Sequence, residues 1–222
     1  MNEECIYLIM IDNSVNTDRY LEYFAKLPVE QQSQIQNFRF DVDKKLCLLS
    51  HLFVRYLACK SLHCLNEELV FAKNDFGKPY LVGVHNFHYN ISHTRDAIAV
   101  GFSKTQIGVD IEKCQLIDLS IAENYFNRNE LSYILSKNEE REKVFYEIWT
   151  KKEAYIKWKG IGLAMPLDMF DVTDVKIDNR LSTIEIHDYI ISICGQAKYC
   201  KKDIVILSER QIAEILIEFN KY

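Results

Sequence analysis

The sequence predicts an α+β fold made of two similar halves, residues 1–105 and 106–222, each a small, mainly antiparallel sheet packed with helices. Three observations point there. Strand-like and helical segments follow one another without the regular alternation that marks a parallel, doubly wound sheet. A chain of 222 residues, 48% hydrophobic and 12% aromatic, can bury a sizeable core without disulfide or metal staples. No low-complexity run and no Gly/Ser/Pro-rich linker separates the halves, so they should pack tightly against each other.

Residues 5–11 form a short apolar run, the pattern of a buried strand. Residues 17–27 place Tyr20, Leu21, Phe24 and Leu27 at helical spacing, and Pro28 opens a polar helical piece ending near Phe38. From Asp41, the expected N-cap, to about Ser61, the residues Leu46, Leu49, Phe53, Val54 and Leu57 make the broad stripe of a central packing helix. β-rich pieces at 69–72, 87–92, 97–102 and 106–111, with a turn at 74–79, read as a small antiparallel sheet. Residues 118–159 are helical in three pieces, punctuated first at Asn127 and Asn129 and closed by a strongly periodic segment over 143–159 that Gly160 and Gly162 stop. Beyond Pro166, residues 169–175, 182–187, 189–194 and 203–208 read as strands and 209–219 as an amphipathic helix.

The 27 Lys and Arg against 32 Asp and Glu give a net charge of −5, which excludes a global basic field for nucleic acid. The excess is spread over both halves, 11 basic and 12 acidic residues before Gln106 and 16 and 20 from there on. An anionic ligand must therefore be met by a local basic island. The seven cysteines are odd in number and form no CxxC pair, which reads as reduced thiols in a cytoplasmic protein. The start is acidic where a secretory leader would be basic, and no apolar run approaches the ~18 residues of a membrane span.

Four segments carry candidate chemistry. Gly108-Val109-Asp110-Ile111-Glu112 puts two carboxylates two residues apart on a strand, both on one face, as ligands for a hard divalent cation or as an ordinary solvated face. Residues 149–159 form a helix on which Phe145, Trp149 and Ile156 share a face, Glu153 and Lys157 stand together at its border, and Lys152 and Lys159 flank the other border. Its four lysines, Lys151, Lys152, Lys157 and Lys159, are the basic island a phosphate ligand needs, or equally an exposed helix with one surface ion pair. Asn90-Ile91-Ser92-His93 ends a strand in polar groups, and Gly77-Lys78-Pro79 is a turn. Taken singly, each has a structural explanation.

Together and in this order, the segments resemble the 4′-phosphopantetheinyl transferase family, in particular its larger Sfp-type group, which activates carrier proteins. The resemblance runs through Phe76-Gly77-Lys78-Pro79, Asn90-Ile91-Ser92-His93, Gly108 to Lys113, and Trp149 to Lys157, followed by Gly160-Ile161-Gly162-Leu163 and Pro166-Leu167. It implies a fused pseudo-dimer acting as a monomer, with coenzyme A in one cleft between the halves. It further implies Mg²⁺, or Mn²⁺ in its place, held by Asp110, Glu112 and Glu153, and attack by a serine of an apo acyl or peptidyl carrier protein on the β-phosphate, releasing 3′,5′-adenosine bisphosphate. Glu153, directly or through a metal-bound water, would take the serine proton, Lys157 would stabilise or protonate the leaving phosphate, and Lys78, Ser92, His93 on the 3′-phosphate side, and Lys152 would contact coenzyme A. No Lys or Arg lies between Pro28 and Arg39, where family members often carry basic residues for the 3′-phosphate, and Lys44 and Lys45 are the expected substitutes. A non-catalytic carrier or nucleotide-binding module and a metal-dependent phosphohydrolase are the alternatives these residue types leave open.

Overall fold

The computed structural model describes residues 4–222, so the acidic start at residues 1–3 lies outside the described residues. The strands are β1 (Cys5–Met10), β2 (Phe71–Lys73), β3 (Pro79–Leu81), β4 (His88–His93), β5 (Ala97–Ser103), β6 (Gly108–Lys113), β7 (Leu181–Ile186), β8 (Tyr189–Cys194) and β9 (Ile204–Ser208). The helices are α1 (Val29–Gln36), α2 (Asp41–Leu62), α3 (Ser120–Tyr125), α4 (Arg128–Leu135), α5 (Arg141–Lys159), α6 (Val175–Asp178) and α7 (Glu209–Phe219), joined by short 3₁₀ turns. The class is α+β, as expected.

Two main sheets, ordered β4-β5-β1-β9 and β6-β8-β7, stack face to face, with β2 and β3 forming a separate hairpin. Strand alternation explains the layering. Ile98, Val100 and Phe102 of β5 and Ile9 of β1 point to the α2 and α7 side, where they meet Leu49, Phe53, Leu57, Ile212 and Leu216. The opposite face, Ile6, Leu8, Ala97 and Ala99, packs on Val109, Ile111, Ile191 and Ile193 of the second sheet. The outer face of that second sheet is covered by α5. The molecule is therefore helices, sheet, sheet, helix, and the small side chains of β5 let the two sheets approach closely.

Most segments form where periodicity places them, but the pieces at 69–72 and 106–111 do not join 87–92 and 97–102 in one sheet, since β2 pairs with β3 and β6 with β8, and four further differences stand out. The stretch at 17–26 is a 3₁₀ helix capped by Asn16, whose side chain accepts from the Asp18 N–H. Phe40, in extended backbone, holds the N-cap position of α2, and Asp41 is its first helical residue, where a carboxylate still favours the positive end of the helix dipole. Residues 169–175 are no strand. Pro166 precedes a 3₁₀ turn over Leu167–Met169, and Asp174 caps α6 by accepting from the Lys176 N–H. Finally, β9 returns to the first sheet and pairs parallel with β1, from Ile6 opposite Ile204 to Met10 opposite Ser208.

That return is fixed by a buried charge. The Glu209 carboxylate, at the start of α7, accepts from the Asp12 N–H at 2.7 Å and the Tyr20 hydroxyl at 2.8 Å and pairs with Lys45 at 3.3 Å. The Lys45 ammonium also donates to the Asp12 and Val15 carbonyls at 2.6 and 2.8 Å. Replacing Glu209 by alanine strands a buried ammonium, and chemical denaturation should show a loss of about 3–5 kcal/mol. All seven cysteines are free thiols. No helix among the described residues is long and apolar enough to cross a membrane.

Candidate active site

Strand β6 lies beneath α5 with Gly108, Asp110 and Glu112 facing the helix, while Val109 and Ile111 face the other sheet. Gly108 makes the approach possible. A Cβ there would sit 2.1 Å from the Ala154 carbonyl oxygen and 2.4 Å from the Trp158 amide nitrogen. The next outward-facing residue, Asp110, then meets the helix border on which Glu153 and Lys157 stand.

The Lys157 ammonium donates to Asp110 Oδ1 at 2.6 Å and to Ser92 Oγ at 3.0 Å, and the Ser92 hydroxyl donates to the same Oδ1 at 2.7 Å. Ser92 arrives on β4, the neighbouring edge of the first sheet. That edge is joined to β6 by a side chain: Asn90 Oδ1 accepts from the Val109 N–H at 2.8 Å. The other oxygen of Asp110, Oδ2, is buried with no hydrogen-bond partner among the described residues. Burial, the nearby Asp110 charge and, more weakly, Glu153 push the Glu112 carboxyl up to about 7 against the opposing pull of Lys157 and of a hydrogen bond from Trp149. Glu153 is likewise raised, by burial first and Asp110 second. The Asp110 charge thus reaches both Glu112 and Glu153, and the region they share is short of positive charge.

Two cavities meet at Glu153. One, of about 280 Å³, is lined by Phe76, Gly77, Lys78, Asn90, Lys157 and Gly160 among others. The second, of about 850 Å³, is lined by Asp110, Glu112 and Glu153 together with Tyr125, Met165 and Leu167 among others. The hairpin turn is locked to the end of α5. Asn74 donates to the Gly160 carbonyl at 2.7 Å, and the Lys78 ammonium donates to the Ile107 and Trp158 carbonyls, both at 3.1 Å. Gly160, at φ 69°, ends the helix in the left-handed conformation.

Of the residues singled out in the sequence, Asp110, Glu112, Glu153, Lys157 and Ser92 come together. Lys78 borders the smaller cavity, but burial lowers its ammonium to about 8 and backbone carbonyls already occupy it. His93 lies at the exposed end of β4, and Lys44 is half-buried on the first turn of α2. Lys45 and Lys152 do not reach the cleft. Lys45 is 1% exposed and spent on Glu209, and Lys152 is 0% exposed and bonded to Glu130 and to the Leu167 and Phe170 carbonyls. Charge pattern cannot distinguish such buried lysines from surface ones.

Comparison with known proteins gives the arrangement its context. A profile described as the 4′-phosphopantetheinyl transferase superfamily matches residues 106–211, and one described as 4′-phosphopantetheinyl transferase, N-terminal, matches residues 14–105. The chain is 35% identical to the 4′-phosphopantetheinyl transferase ffp of Bacillus subtilis over 80% of its own length and 79% of the relative's. This chain belongs to the 4′-phosphopantetheinyl transferase family. Other phosphopantetheinyl transferases show the same relationship. The Sfp protein of Bacillus subtilis strain 168 is 31% identical, covering 75% of each chain. The L-aminoadipate-semialdehyde dehydrogenase-phosphopantetheinyl transferase of Schizosaccharomyces pombe is 32% identical over 73% of this chain and 70% of its own. The two matched regions fit the two-half architecture.

In this phosphopantetheinyl transferase, the sequence alone gives no separate role to Asn90, Tyr125, Met165 or Asp168. Asn90 was legible only as part of its motif; its bridge to β6 depends on the two sheets meeting. Tyr125, more than ten residues from any motif, and Met165, between two of them, line the cleft at the end of α3 and in the loop after α5. No three His, Cys, Asp or Glu side chains among the described residues stand close enough together to form a ready-made metal site. The oxygen-only donor set and the orphaned Asp110 Oδ2 nonetheless suit a hard dication in chemistry.

Proposed function

We propose that this protein transfers 4′-phosphopantetheine from coenzyme A to a serine of an apo acyl or peptidyl carrier protein. The observation that carries this reading is the Lys157–Asp110–Ser92 cluster beside Glu153, where the two cavities meet. The two halves would act as a fused pseudo-dimer, one chain building the whole cleft, with no obligatory second copy.

The chain's own residues account for the proton and charge movements. Glu153, where the two cavities meet, is placed to take the proton, directly or through a metal-bound water, as the serine oxygen attacks the β-phosphate. Lys157 is fixed by Asp110 and Ser92 through two of its donors, which leaves it oriented toward phosphate oxygen. As the new phosphate–serine bond forms, the pyrophosphate bond breaks, and 3′,5′-adenosine bisphosphate departs with the charge Lys157 offsets. Asp110, Glu112 and Glu153 would hold Mg²⁺ or Mn²⁺, which when bound supplies charge neutralisation at the pyrophosphate. With Lys45 and Lys152 committed elsewhere, Lys157, Lys44 and the edge of Lys78 are, of the residues named above, the cationic groups left for the cofactor, and His93, whose charged form burial and then Lys157 disfavour, offers a neutral ring.

Intact-protein mass spectrometry of a panel of apo carriers, incubated with the protein, Mg²⁺ and coenzyme A, should show one added phosphopantetheine on a serine. No transfer to any carrier by folded protein would sink this reading. Release of adenosine bisphosphate without a carrier would instead indicate hydrolysis.

A further inference from the structure

Lys152 and Glu130 form a second buried ion pair, at 2.7 Å, with both side chains 0% exposed. All their bonding capacity is directed. The ammonium donates to the Leu167 and Phe170 carbonyls, both at 2.7 Å, and stands 4.2 Å from the centre of the Phe170 ring. Glu130 accepts from the Val172 N–H at 2.8 Å and the Asn127 N–H at 2.9 Å. The pair thus binds α4 and α5 to the two ends of the Leu167–Met169 turn. Met165, Pro166, Leu167 and Asp168 line the larger cavity together with Asp110, Glu112 and Glu153.

Stability alone is a poor account of such a pair, because apolar residues of similar volume commonly hold a core as well or better. What an ammonium adds is direction: three acceptors fixed around one nitrogen. Lys152 and Glu153 are neighbours about 100° apart on the helix, so one turn of α5 presents a carboxylate to the cleft and holds another part of its lining from behind. We infer that Lys152 and Glu130 are positioning residues that set the width of the larger cavity and so the seating of the carrier serine against Glu153. This rests on the transferase reading above, with the carrier approaching through that cavity.

The test is kinetic, with stability as the counterweight. Glu130→Gln should lower kcat/KM for the carrier by about 10- to 100-fold, the scale of a misplacement near 1 Å, while KM for coenzyme A stays within about two-fold. The double substitution Glu130→Leu with Lys152→Met removes both charges and should restore the denaturation midpoint without restoring transfer, since the Leu167 and Phe170 carbonyls remain untethered. Glu209→Gln, which disturbs the other buried pair, serves as control and should leave transfer by folded protein within about two-fold. Recovery of transfer together with stability in the double variant would overturn the proposal. So would a Glu130→Gln protein with parental kinetics, which decides the matter where the double variant does not fold. Failure of the parent protein to modify any carrier would count against the transferase reading itself.

Discussion

Asp110→Ala should reduce carrier modification by roughly 10³-fold, the scale seen when one preorganised charge partner is removed from a transition state. The carboxylate orients Lys157 and Ser92 through Oδ1 and offers the buried Oδ2 to the charge-poor centre of the cleft. The fold should survive. Lys157 keeps 26% of its side chain exposed and can recover water, and removing Asp110 also removes a buried oxygen that has no partner among the described residues. Asp110→Asn keeps the shape and should still lose most of the rate, because it is the charge that holds the ammonium. Comparing single-turnover transfer with circular dichroism separates the two effects. Full activity in a folded Asp110→Ala protein would remove Asp110 from the mechanism and with it the three-carboxylate site.

Gly108→Ala should be the most damaging single methyl addition in the molecule. Its Cβ would collide with the Ala154 carbonyl and the Trp158 amide, main-chain atoms of α5 that cannot rotate away. The helix must lift from the strand, at a cost at the top of the usual range for overpacking, about 3 kcal/mol. Because α5 carries Glu153 and Lys157, the same displacement should lower transfer by about 10²-fold in the protein that remains folded. Gly101→Ala is the natural comparison: its Cβ meets the Ile107 Cδ1 at 3.0 Å, the end of a flexible side chain, and should cost under about 1 kcal/mol. Urea midpoints of the two variants that coincide would show that strand and helix are less closely packed at Gly108 than the structure indicates.

Much of this architecture is legible in the sequence because it is local. The apolar stripe of α2, the alternation on β6 and the glycine stop of α5 each state their structure within a few residues. The acidic cluster follows from two such statements, Asp110 and Glu112 on a strand face and Glu153 on a helix border. What is hidden depends on distant partners. Lys45, Lys78 and Lys152 read as contacts for the anionic cofactor, and only the packing of Glu209, of the Ile107 and Trp158 carbonyls, and of Glu130 turns each into a structural tie. Residues 169–175 carry strand-like alternation, yet caps at Pro166 and Asp174 bend the backbone into turns. The 3₁₀ geometry of Thr17–Lys26 is equally invisible to spacing, since helical stripes of both kinds bring every third or fourth residue to one face.

The parallel pairing of β1 with β9 has a consequence for how the molecule is made. During synthesis, β5 can join β1 once about half the chain has emerged, but the second neighbour of β1 and the α7 cover over α2 must wait for residues 204–219. Until then the nascent first half exposes an open strand edge, and the Lys45 ammonium lacks its counter-charge. Contacts of such long sequence separation are entropically late, so the early half should be the chaperone-dependent, aggregation-prone species on the route to the native state.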